Sequence, residues 1–169
     1  IISMCDSTGW ELALSQDAMG EKELIETFVR TVAERDPDVI EGHNLCRFDL
    51  PYLEARAKRH KVRLTLGRGG ATPKKRSSRF SLAERIINYT RYDLFGRHVV
   101  DTLHLAMMYD VSNRDLESYN LKYLAKHFNF ASEERTYFDG ARISQAWEEE
   151  RALLLAYALD DVRETRSLG

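Results

Sequence analysis

The stretch EGHNLCRFDLPYL, residues 41–53, decides how this chain folds. Asp38 to Gly42 reads as a short strand, and Asp49 followed by Leu50-Pro51 has the form of an N-capped helix that runs to about His60. Strand, turn and helix make the βα unit of an α/β domain. Asp49 stands where the strand ends and the helix begins, the place where such folds put ligand sites. A helix cap and a site carboxylate both fit it at this point.

Working outward, Ile1 to Cys5 and Trp10 to Leu14 read as two strands around a DSTG turn, a hairpin. In EKELIETFVRTVAERD, Leu24, Ile25, Phe28, Val29 and Val32 recur at helical spacing and give one apolar face, and Pro37 ends that helix. GRGGATPKKRSSR, residues 67–79, has three glycines, a proline and no large apolar side chain, so it is expected to be a mobile loop. RFSLAERIINYTRYDLFG, residues 79–96, alternates apolar and polar residues as a β-hairpin or extended arm does. HVVD, residues 98–101, returns to a buried strand, and Asp101 opens the helix TLHLAMMYD. YNLKYLAKHF and the stretch from about Ile143 to Ser167 read as further helices, the last one packing Leu155, Leu159 and Val162 inward. There is no internal repeat.

With 169 residues, 43% of them hydrophobic, the chain has enough material for one sizeable core, and residues 1–169 are read as a single domain. Two cysteines, Cys5 and Cys46, make neither a disulfide scaffold nor a zinc spacing, so a reducing, cytoplasmic setting is expected. No apolar run approaches the ~18 residues of a membrane span, and IISMCDSTGW lacks the basic flank of a signal peptide. The net charge of −2 conceals a segregation: Ala55 to Ala83 holds ten Lys or Arg and no Asp or Glu, so that segment carries +10 and the remainder −12. A basic stripe of this kind matches a phosphate backbone, and an acidic remainder suits divalent cations. A solvated helix end and loop fits the same charges.

In LLLAYALDDVRET, residues 153–165, Tyr157 and Asp161 lie four apart and project from one helix face. Phosphodiester cleavage needs a strong nucleophile and an outlet for negative charge; two divalent ions ~3.5–4 Å apart, held by carboxylates, provide both. Hard oxygen ligands favour Mg²⁺ or Mn²⁺, and Asp49 and Asp161 are candidate ligands. A phenol has a pKa of ~10, so Tyr157 suits a hydrogen bonder that orients water better than a base. Each residue has a plainer role to hand: a polar helix face for Tyr157 and Asp161 beside Asp160, Arg163 and Glu164, a cap for Asp101, a satisfied strand-end ring for His43, and core for Phe48.

Taken together these motifs resemble a known family. GHNLCRFD is similar to the second exonuclease motif of family B DNA polymerases, an Asn, three residues, Phe or Tyr, then Asp. YALDD resembles the third, a Tyr, three residues, then Asp; GRHVVDTLHLA followed by ESYNLKYLAKHF resembles the run between them. The likeness covers nearly the whole chain and is nearest the exonuclease region of prokaryotic polymerase elongation subunits, in the tyrosine subclass of four-carboxylate enzymes.

That resemblance implies a ribonuclease H-like α/β fold: a mixed central β-sheet flanked by helices, with a β-hairpin arm. It implies a 3′–5′ exonuclease acting on DNA, with two divalent cations and single-stranded 3′ ends as substrate, in proofreading or repair beside a polymerase domain or partner. Asp49 and Asp161 would hold metal, Tyr157 would orient the water, Asn44 and Phe48 would contact the 3′-terminal nucleotide, and Ser118 and Leu121 would lie along the strand. The family's first motif, Asp-x-Glu on the first strand, has no counterpart before Asn44, and Ile1 to Cys5 resembles the family's second strand. The expectation is that the first strand lies upstream of Ile1 or is lost, and that residues 1–169 alone bind metal weakly and cleave poorly. A non-catalytic nucleic-acid-binding module with a degenerate exonuclease fold is the alternative.

Overall fold

In the computed structural model, residues 1–82, 85–132, 135, 138 and 142–169 are described. The chain opens on the expected hairpin, β1 (Ile2–Cys5) antiparallel to β2 (Glu11–Leu14), in register from Ile2 opposite Leu14 to Cys5 opposite Glu11. Its turn is held by Asp6, whose Oδ1 accepts from the Thr8 backbone N–H at 2.9 Å, and Gly9 takes φ 89°, which a residue without Cβ adopts freely. Helix α1 (Glu21–Arg35) buries Leu24, Ile25, Phe28, Thr31 and Val32, the apolar stripe of its sequence. It stops at Asp36, left-handed at φ 42°, directly before Pro37.

Strand β3 (Val39–Gly42) pairs in parallel with β6 (His98–Asp101), and α2 (Asp49–Arg59) and α3 (Thr102–Asn113) follow them, so the two βα units lie side by side. Arg97, its side chain 2% exposed, locks this junction. Its Nη1 lies 2.9 Å from Asp36, its Nε donates to Leu66 O at 2.9 Å, and it donates to Pro37 O. The main core gathers Ile25 and Phe28 from α1, Leu45 and Leu50 from the β3–α2 region, and Leu66, Tyr92 and Leu94 from the segment between. Leu50 and Leu66, at 2% and 1% exposure, are each worth ~1.5–3 kcal/mol to the fold by burial.

Residues 67–79 depart from the mobile loop expected of them. A short 3₁₀ turn at Arg68–Gly70 leads into β4 (Lys74–Leu82), which pairs with β5 (Arg85–Asp93) from Lys74 opposite Asp93 to Leu82 opposite Arg85; the connecting residues 83–84 fall outside those described. Backbone pairing with the apolar-alternating partner supplies the order that a polar sequence cannot obtain from burial. The arm is also anchored: Phe80 stacks on His104 of α3 at 4.7 Å, Tyr89 meets the same ring edge-on at 4.8 Å, and Tyr92 is buried.

After α4 (Leu121–His127), α5 (Ile143–Glu149) and α6 (Arg151–Leu168) realise the long C-terminal helical stretch with a break at Glu150. α6 packs on β1, β2 and β3 on one side and on α4 and α5 on the other. With two faces to fill, it leaves Leu155, Leu159 and Val162 half-buried and fully buries Leu154, Glu164 and Thr165 instead. The Cys5 thiol donates to Val162 O at 3.3 Å, which ties the helix to β1.

The architecture is mixed α/β. Among the described residues, hydrogen bonding runs only within the pairs β1–β2, β3–β6 and β4–β5, so the expected single central sheet is present as three two-stranded sheets. Side-chain packing beneath α6, which touches both β1 and β3, joins the first two. Among the described residues no helix is long and apolar enough to cross a membrane.

Candidate functional site

The site is organised by Asp101, the last residue of β6 and 6% exposed. Its Oδ1 accepts from the Asn44 backbone N–H at 2.8 Å and from Leu103 N–H at 3.2 Å, and its Oδ2 accepts from Cys46 N–H at 3.0 Å. Asp101 therefore caps α3 and pins the β3–α2 turn at once. Asn44 takes φ 64° at the head of that turn, and Phe48 N–H closes back on Asn44 O at 3.0 Å.

This turn changes what Asp49 does. The N-cap of α2 is Phe48, and no side chain caps the helix; Asp49 is its first helical residue. Burial chiefly, with the Asp101 charge adding to it and a hydrogen bond from Asp49's own N–H opposing, pushes its carboxyl up to about 6. No basic side chain among the described residues pairs with it. Phe48 is not core: it is 62% exposed, with its ring parallel to that of Tyr52, itself 56% exposed, at 6.0 Å and 4°.

Asp161 and Tyr157 lie one turn apart on α6, both half-buried. The Arg135 guanidinium, with no side-chain exposure, reaches Asp161 Oδ1 at 2.8 Å and Glu164 Oε2 at 2.8 Å through the same nitrogen, Nη2. Glu164, 4% exposed, is pushed up to about 7 because its burial outweighs the neighbouring positive charge. Tyr157 meets Phe138 edge-on at 5.6 Å, and its ring face receives two cations, Lys122 Nζ at 4.8 Å and Arg135 Cζ at 5.6 Å.

His43 follows β3 directly and precedes Asn44. Its Nε2 donates to Tyr119 O at 2.8 Å and its Nδ1 is 3.0 Å from Thr102 Oγ1, so both nitrogens are satisfied, as expected of a strand-end histidine. Burial lowers its pKa, against the hydrogen bond to Tyr119 O and the charges of Asp101 and Asp161. Ser118 Oγ accepts from Asn120 Nδ2 at 2.9 Å, and Asn120 caps α4 through Tyr123 N–H, so Ser118 and Leu121 belong to a capping turn next to Tyr119.

Asn44, Phe48 and Asp49 are thus brought together around Asp101, and Tyr157 and Asp161 around Arg135. Among the described residues no three His, Cys, Asp or Glu side chains converge as a metal-donor set. Asp49 fits a cation ligand: it is a half-buried carboxylate with no basic partner among the described residues. Asp161 fits less well, because Arg135 already neutralises it. Sequence reasoning missed Tyr52, one helical turn after Phe48 and within reach of the same periodicity; it also missed Arg135 and Glu164, whose pairing joins distant segments.

The basic stripe divides. Arg56 pairs with Glu21, Arg68 with Asp36 at 2.9 Å and Asp38 at 2.7 Å, Lys75 with Glu54 at 2.8 Å, and Arg76 with Asp93 at 2.9 Å. Lys58, Arg59, Lys61, Arg63, Lys74 and Arg79 are exposed and form no ion pair among the described residues.

The fold and this turn define an α/β domain that presents a carboxylate and exposed rings where a strand gives way to a helix. The family model for DNA polymerase family B, exonuclease domain, matches residues 18–124. The chain is 31% identical over 151 residues to a DNA polymerase of Pyrococcus glycovorans, covering 88% of this chain and 18% of that protein. It is 32% identical over 160 residues to DNA polymerase 2 of Aeropyrum pernix, covering 92% and 18%. The family B DNA polymerase structure from Pyrobaculum calidifontis superposes with a TM-score of 0.74 at 30% identity over 96% of this chain and 20% of its own. The chain belongs to the exonuclease-domain family of family B DNA polymerases, and it spans a fifth or less of the length of these relatives.

Proposed function

We propose that residues 1–169 form one ribonuclease H-like 3′–5′ exonuclease domain that removes nucleotides from single-stranded 3′ ends of DNA, in proofreading or repair beside a polymerase domain or partner. The observation that carries this reading is the Asp101-pinned turn, which presents Asn44, Phe48 and Asp49 together inside the family match. Asn44 and Phe48 contact the terminal nucleotide, Ser118 and Leu121 lie along the strand, and Tyr157 holds the attacking water by a hydrogen bond.

Two divalent cations, Mg²⁺ or Mn²⁺, would supply an acidified water and an outlet for negative charge. Asp49 and Asp161 would hold them here, as two of the family's four carboxylates; no Asp-x-Glu pair stands before Asn44. Degradation polarity tests the reading: a 5′-labelled oligonucleotide gives a descending ladder and a 3′-labelled one releases labelled mononucleotide at once. The reverse pattern, or cuts within the strand, contradicts it.

A second reading, a module that binds nucleic acid without cutting it, is favoured by one observation: Arg135 occupies the Asp161 carboxylate. Binding without shortening in the same assay selects it.

A further inference from the structure

The exposed side of α2 carries more than the motif residues on it. Phe48, Tyr52, Ala55 and Arg59 are spaced four, three and four residues apart, so they form one stripe along the helix, and all four are exposed. The stripe begins with two parallel rings beside Asp49, continues over a small residue, and ends about 16 Å away in Arg59, with Lys58 and Lys61 adjoining. Single exposed apolar residues are ordinary on any surface. Two stacked rings that run on into cations with no acidic partner among the described residues are a different arrangement, one that offers faces to bases and charge to phosphates.

Cations in the last turn also favour the helix dipole, but that role asks nothing of the rings. Arg56 on the neighbouring face shows the contrast, since its charge is taken up by Glu21.

We propose that this stripe of α2 is the track for the single strand: the terminal base meets Phe48, the penultimate base stacks on Tyr52, and Arg59 takes a phosphate further along. The assignment rests on the exonuclease reading and adds two substrate-positioning residues, Tyr52 and Arg59, to it. Successive bases stack on aromatic side chains whatever their identity, so the track reads no sequence.

Fluorescence anisotropy of a labelled oligothymidylate, with the full chain in EDTA, measures the contribution of each residue. Tyr52→Ala weakens binding about 5- to 100-fold, and Tyr52→Phe, which keeps the ring, binds as wild type does. Arg59→Ala lowers the slope of log affinity against log salt by about 0.7, one phosphate on a single strand. Arg30→Ala, on the exposed side of α1, leaves the slope unchanged. Iodouracil at the penultimate 3′ position, when irradiated, cross-links to the α2 peptide that contains Tyr52. Unaltered affinity and slope in the two variants, with cross-links confined to other elements, overturn the track while leaving the exonuclease reading in place. Wild-type protein that binds no oligonucleotide overturns both.

Discussion

Arg135 reaches Asp161 and Glu164 through a single nitrogen, 2.8 Å from an oxygen of each, with the arginine side chain wholly buried. The carboxylate proposed to hold metal is thus held by an internal cation, and a second carboxylate is buried with it. Removing one member of such a group leaves an uncompensated charge in the interior. Arg135→Met is expected to destabilise the domain by about 3–5 kcal/mol in urea unfolding, and Arg135→Met/Glu164→Gln to recover most of that loss. A single variant as stable as wild type would show that the pairing contributes nothing.

Asp49 gives a stability profile with a definite sign. Its carboxyl is pushed up to about 6 from an ordinary 3.8, so between those values the folded state binds the proton more tightly than the unfolded chain. This group's contribution is therefore fully present below about pH 4, falls as pH rises, and is gone above about pH 6, amounting to about 3 kcal/mol at most. Asp49→Asn removes that slope and is the more stable protein at pH 7. A cation at Asp49 offsets the same cost, so Mn²⁺ raises the melting temperature of wild type at pH 7 more than that of Asp49→Asn. Identical pH profiles for the two proteins refute the assignment.

Asp101 positions the turn without being asked to touch substrate. Asp101→Ala leaves the backbone N–H groups of Asn44, Cys46 and Leu103 without their acceptor and is expected to cost at least about 3 kcal/mol. Asp101→Asn, which keeps one acceptor oxygen, costs less. Urea midpoints order the three proteins, and equal midpoints for Ala and wild type contradict the role.

The elements with one buried face were legible in the sequence. The stripe Leu24, Ile25, Phe28 and Val32 marked α1, and the strand-turn-helix pattern around Gly42 and Asp49 marked the site, because period and turn chemistry are local. The misreadings came from non-local causes. Lys74–Arg79 is ordered by the partner strand across the hairpin, and α6 is packed on two sides, which blurs the single stripe its sequence suggested. Asp49 has the composition of a cap, but the preceding Asn44–Phe48 turn moves the cap position one residue back. Arg135 and Asp161 are 26 residues apart, and no periodicity reports a pairing of that kind.

The most direct test of the exonuclease assignment is shortening of a 5′-labelled single-stranded DNA by the natural full-length protein in Mg²⁺ or Mn²⁺, beside Asp161→Ala and an EDTA control. Stepwise loss of mononucleotides from the 3′ end, abolished by the substitution and by EDTA, is the predicted result. Intact substrate under conditions where the wild-type protein binds it, or shortening that Asp161→Ala sustains at the wild-type rate, would contradict the assignment.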